Sequence, residues 1–248
     1  MQETRANRFR FLVVFLCLLE CLSITGVIFG WASVVYVLKA EGFFLDLCNV
    51  TLGGNGANAG GTIVTCDERD LQFSILFAVA FSAQALGAFM IGRLQMAAGN
   101  RVARVAVSLI FLSGCYIVAF TSLDSPWLLY PGLSLAGTGA IATIMLCSQT
   151  SVLFRRAAPI VVGIMNGAAD SCTGLQFLVK MSYEAGISRQ SIYLFMGSLA
   201  LLTLPCTFLL IPRGHLERPP SADHKDTGRE EHGAVEYKGE YRRCFMEW

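Results

Sequence analysis

Charge is scarce in this sequence. Asp, Glu, Lys and Arg make up 15% of the 248 residues, whereas a soluble domain carries about a quarter. That shortage argues against a chain whose whole surface faces water. Histidine is scarcer still: His215, His224 and His232 are the only three, and all lie in the polar tail. No Cys or His spacing resembles a zinc site. GxSxG, HExxH and phosphate-binding loop motifs are lacking, so no enzyme class is indicated and no cofactor or metal is implied. There is no basic stripe with interleaved aromatics, which excludes a nucleic-acid partner. The net charge of +1 names no partner by bulk electrostatics.

What the sequence does have is apolar length. Hydrophobic residues make up 54% of it, and the mean hydropathy is +0.55. Six segments stand out, at roughly 11–38, 71–92, 102–121, 127–153, 157–179 and 191–211. Each matches the roughly 20 residues a helix needs to cross about 30 Å of hydrocarbon. The runs are continuous rather than alternating, which favours helices over a barrel, and a helix pairs its own backbone groups in lipid. The first run has a basic start (Arg5, Arg8, Arg10) but is longer than a signal peptide's core and contains Glu20, so it is expected to remain as a span.

Lys and Arg set the expected orientation. Arg5, Arg8 and Arg10, then Arg93, Arg101 and Arg104, then Arg155 and Arg156, then Arg213 and Arg218 fall on one side. The other side has Lys39, Arg69, Lys180 and Arg189, with acidic Glu41, Asp46, Asp67, Glu68 and Asp70 in its first loop. Both termini are therefore expected in the cytoplasm, residues 1–10 forming a short N-terminus, 11–211 the six-helix domain and 212–248 a tail too polar to fold alone. The loop 39–70 is expected outside. It contains the sequon Asn49-Val50-Thr51, a candidate glycosylation site, and Cys48 and Cys66, placed to form a disulfide on an oxidising face. The remaining cysteines of the apolar runs, Cys17, Cys21, Cys115, Cys147, Cys172 and Cys206, read as small hydrophobes.

Ionisable groups within lipid are functional candidates. Two are counted here, Glu20 in the first span and Asp170 in the fifth; with Arg104 assigned to a connection, no Lys or Arg is counted inside a span. Asn166 lies one turn before Asp170 and shares its face, and Gln149 adds an amide near the end of the fourth span. Glu20, Gln149, Asn166 and Asp170 form the candidate substrate-binding set, with interhelical hydrogen bonding as the alternative for the amides. GxxxG patterns at Gly26–Gly30 and Gly163–Gly167 are expected to let the first and fifth helices approach closely.

Leu18-Leu19-Glu20-Cys21-Leu22, then Gly26 and Phe29-Gly30-Trp31, then Lys39-Ala40-Glu41-Gly42-Phe43-Phe44 and Asp46-Leu47-Cys48 occur in order. Asn166-Gly167-Ala168-Ala169-Asp170-Ser171, Tyr183–Ser188 and Pro212-Arg213-Gly214-His215 follow. From about Phe11 to His215 the chain resembles family 43 of the solute carriers, more its nucleobase-transporting branch than its large neutral amino acid branch. The resemblance implies an all-α membrane protein, six transmembrane helices forming the N-terminal six-helix half of a major facilitator superfamily fold. It also implies facilitated, sodium-independent transport of purine nucleobases such as adenine, guanine and hypoxanthine, with plasma-membrane location. A large neutral amino acid carrier and a truncated half without transport of its own are the alternatives. The partners implied are the lipid bilayer, a small-molecule substrate, and a second half or another copy of the chain. The superfamily's gate motif is incomplete: Gly92, Gly99 and Arg101 fit, while Met96 and Ala97 stand where Asp and Arg are expected. Without a cation counted in any span, a neutral substrate is expected over a zwitterionic one.

Overall fold

The structure, a computed structural model, describes residues 2–25, 30–48, 66–154 and 157–210. Asn49, the Gly-rich part of the first loop, Phe29, Arg155, Arg156 and the tail from Arg213 lie outside these residues. Among the described residues every regular element is helical: α1 (Gln2–Ile24), α2 (Trp31–Ala40), α3 (Asp67–Phe120), α4 (Leu129–Ser148), α5 (Ala158–Glu184) and α6 (Arg189–Leu210), with single 3-10 turns at Leu45–Leu47, Pro126–Leu128 and Gln149–Leu153.

These bounds revise the expected segments. The first apolar run is not one continuous helix, because α1 ends at Ile24 and α2 begins at Trp31. α1 also starts nine residues before Phe11, inside the expected N-terminal segment. The second and third segments belong to one 54-residue stretch, α3, folded back at Gly99 (φ 85°, ψ 169°). Only a glycine takes that backbone without steric cost, so a single residue makes the reversal. Asp67, Glu68 and Asp70 sit in the first turn of α3, where carboxylates complement the helix dipole. Pro159 sits in the first turn of α5, where its missing N–H is no loss.

The main core lies between the two arms of α3 and α4, with α2 and α6 packed against it. It includes Leu76, Phe111, Cys115, Val118, Leu133, Ala136 and Ala140. Close approach here depends on glycine. A Cβ at Gly114 would stand 2.3 Å from the backbone N of Ala136, and one at Gly139 would stand 2.6 Å from Cβ of Phe111. A second cluster joins α1, α4 and α5 through Val13, Cys17, Cys21, Cys147, Met165 and Ala168.

Outside this core the helices are bare and apolar. Leu86, Phe89, Met90, Phe120, Ile160 and Phe195 are each more than 60% exposed. Apolar faces of this extent need a solvent other than water. The stretches Asp67–Phe120 and Pro126–Ser151 are each long and apolar enough to cross a bilayer.

Candidate functional site

Glu20 is a partly buried carboxylate of the bundle. It lies on α1, with 11% of its side chain exposed, and its Oε2 accepts a hydrogen bond at 2.8 Å from Nη1 of Arg104. Arg104 belongs to the second arm of α3 and is 4% exposed. Its Nη2 also donates to the sulfurs of Cys17 (3.3 Å) and Cys147 (3.4 Å). This corrects two expectations. Arg104 is not a connection residue, so a cation does lie within the helical body. Cys17 and Cys147 are hydrogen-bond acceptors around that cation rather than mere packing groups. The pair is electrically neutral, which is how a low-dielectric interior tolerates ions.

Gln149 is half-buried and forms a reciprocal amide pair with Gln95: Gln149 Nε2 donates to Gln95 Oε1 at 2.8 Å, and Gln95 Nε2 donates back to Gln149 Oε1. The pair joins the first arm of α3 to the turn after α4. Such pairing is the work the interhelical alternative assigned to this amide.

Asn166 and Asp170 share a face of α5, and both are exposed. Asn166 Nδ2 donates to the carbonyl of Val162 at 2.9 Å, and Ser171 Oγ donates to that of Gly167 at 2.7 Å. Asp170 has no ion-pair partner among the described residues. Gly163, Gly167 and Gly174 flank this face, and a Cβ at any of them would meet nothing within 4 Å. The GxxxG of the fifth segment therefore does not pack on α1; α5 meets α1 through Val161, Met165 and Ala168. Gly26 of the other GxxxG lies outside the described residues. The four candidate residues thus fall into three places: an ion pair, an amide pair and an open polar face.

At the opposite end of the bundle two further arginines are buried. Arg69 donates to the carbonyls of Phe43 and Lys39, both at 2.9 Å, capping the end of α2. Arg189 donates to Glu41 at 2.6 Å, to the carbonyl of Thr121 at 2.7 Å and to that of Val118. Lys39 pairs with Asp70. Cys48 and Cys66 are joined in a disulfide, their Cα atoms 5.8 Å apart. The Trp31 ring lies tilted against Phe77, with centroids 5.2 Å apart, and is thereby engaged in the bundle.

Sequence reasoning missed Arg104, Gln95, Arg69 and Arg189 as interior groups. For Arg104 a signal exists: it stands in register with Val107, Phe111 and Cys115 at helical spacing, and that stripe is buried.

Interior ion pairs inside a sheath of bare apolar helices fit a helical membrane protein. Comparison with known proteins narrows the class. The chain is 32% identical over 222 residues to equilibrative nucleobase transporter 1 of Bos taurus, covering 90% of this chain and 45% of that protein. It is 26% identical over 209 residues to large neutral amino acids transporter small subunit 3 of Homo sapiens, covering 82% and 37%. It is 27% identical over 185 residues to protein FMP42 of Saccharomyces cerevisiae, covering 73% and 35%. No family model matches the chain, and no solved structure does. The chain is a helical membrane protein related to small-molecule transporters, and it spans less than half the length of these relatives.

Proposed function

We infer that this chain supplies the amino-terminal six-helix part of a facilitator-type carrier, and that its substrate is a neutral, flat heterocycle of the purine nucleobase class. The observation that carries this reading is the open face of α5. Asp170 and Asn166 lie exposed on it, in a helix that also shows apolar side chains such as Ile160, Ile164, Phe177 and Leu178 to its surroundings. A carboxylate is not stable against lipid hydrocarbon, so this face belongs against a water-filled path or further protein. The length of the relatives fits a second half in that place.

The charge balance favours a neutral substrate by a different route from the one the sequence suggested. A cation is present in the body, but Arg104 is buried and committed to Glu20. It is not free to hold a substrate carboxylate. Asp170 can accept N–H groups from a nucleobase edge, and Asn166 can both donate and accept. Glu20 and Gln149 then act as bracing rather than contact residues. The cytoplasmic placement of both termini, glycosylation at Asn49 and a plasma-membrane address belong to the same proposal.

The test is uptake of radiolabelled adenine into vesicles containing the purified chain together with the carboxy-terminal half of a nucleobase-transporting relative. Adenine accumulation above empty vesicles, not competed by leucine and independent of pH, is expected. Asp170→Asn should lower it at least about tenfold, the worth of a hydrogen bond to a charged group, with helix content unchanged. Competition by leucine would favour the amino acid reading instead. Absence of uptake with both folded halves present would overturn the proposal.

A further inference from the structure

The thiols of Cys17 and Cys147 are 130 positions apart in sequence, and the packing of α1 on α4 brings them together. Their sulfurs and a carboxylate oxygen of Glu20 all lie within 4.8 Å of one another, and Cys147 Sγ is 3.8 Å from Glu20 Oε2. We propose that Cys17, Cys147 and Glu20 form a binding site for a thiophilic divalent cation of the zinc type.

The geometry is close to what such an ion requires. Tetrahedral bonds of about 2.3 Å to sulfur and about 2.0 Å to oxygen hold the ligand atoms about 3.5 to 3.8 Å apart. Three protein ligands leave the fourth tetrahedral position to a water molecule. Two thiolates with a carboxylate suit zinc or cadmium better than the harder ions magnesium and calcium. Both sulfurs are buried, while the Glu20 side chain keeps 11% of its surface exposed, so the approach lies past the carboxylate.

Arg104 supports this site rather than opposing it. Its Nη2 already donates to both sulfurs, the outer-layer contact that holds a metal thiolate in place. Its Nη1 binds Oε2 of Glu20, the oxygen that lies 3.8 Å from Cys147 Sγ, and a carboxylate oxygen keeps a second lone pair with which to take a metal. The charges also close. At present Glu20 and Arg104 cancel. Binding follows M2+ + 2 Cys–SH → M(S–Cys)2 + 2 H+, so two thiolates neutralise the ion and the site stays neutral overall, as burial demands. Cys115 provides the contrast: it is fully buried in the main core among Phe111, Val118 and Ala136, and none of the guanidinium or carboxylate groups described above reaches it.

The experiment measures Cd2+ binding to the full chain in detergent, carrying Cys206→Ala and Cys244→Ala to remove the thiols of the last helix and the tail. One Cd2+ per chain with a sulfur-to-metal charge-transfer band is expected. Cys17→Ser and Cys147→Ser should each weaken binding by more than about tenfold, whereas Cys115→Ser should not. If a serine variant fails to fold by circular dichroism, X-ray absorption at the cadmium edge on the parent chain decides, with at least two sulfur neighbours expected. A shell of oxygen alone, or a band that survives both Cys17→Ser and Cys147→Ser, would overturn the proposal. The readout is binding, so it stands or falls independently of uptake.

Discussion

Arg104 spends three of its N–H contacts on Glu20, Cys17 and Cys147, and its Nε has no hydrogen-bond partner among the described residues. Removing Glu20 would leave that guanidinium buried and uncompensated. Glu20→Gln is therefore expected to cost about 3–5 kcal/mol. The double change Glu20→Gln with Arg104→Gln should cost clearly less than the sum of the two singles, because neither ion is then orphaned. Thermal unfolding of the three variants in detergent checks this; additive losses would mean that the pair is not coupled. The two partners were unequally legible in sequence. Glu20 stands out as an acid in an apolar run. Arg104 sits five residues from the Gly99 turn and close to Arg101, so a rule that counts loop cations claims it. Whether it points into the bundle depends on helical phase, which the buried stripe of Val107 and Phe111 sets.

Between elements, the packing separates glycines that are needed from glycines that are only permitted. The second arm of α3 approaches α4 at Gly114 and Gly139, where an added Cβ would run into backbone or the base of a side chain. Gly114→Ala is expected to lower the unfolding temperature or abolish folding, since the nearest obstruction is backbone and cannot rotate away. Gly163→Ala should leave stability unchanged or raise it by up to about 1 kcal/mol, because it adds helix propensity in open space. Unfolding curves of the two variants side by side read the difference, and equal losses would contradict this packing. The GxxxG pattern of the fifth segment pointed to a tight approach on α5, and the structure leaves Gly163 and Gly167 in open space, with a close crossing between α3 and α4 instead. A glycine pair in sequence says that a backbone can be approached, and only the three-dimensional phase of the helix says by what. The long apolar runs were legible because length and continuity survive any packing. The break between α1 and α2 was not, since nothing apolar is lost there.

Over the whole molecule, the buried polar contacts gather in two layers. Glu20, Arg104, Gln95 and Gln149 lie toward the Gly99 turn; Arg69, Arg189, Glu41 and the Cys48–Cys66 bridge lie at the other end. Arg189 ties Glu41 to the carbonyls closing α3, so three separate stretches of chain meet at one guanidinium. Residues near the disulfide were recognisable from compartment chemistry, whereas the buried arginines looked like ordinary loop charges. The central claim is that the apolar sheath lies in a bilayer with the two layers on opposite sides. Side-specific labelling in sealed vesicles tests it most directly. After reduction of the bridge, a membrane-impermeant maleimide should reach Cys48 and Cys66 only from the face opposite to tags on the two termini. Labelling of those cysteines from the same face as the tags, or a chain that stays in solution without detergent, would contradict the account.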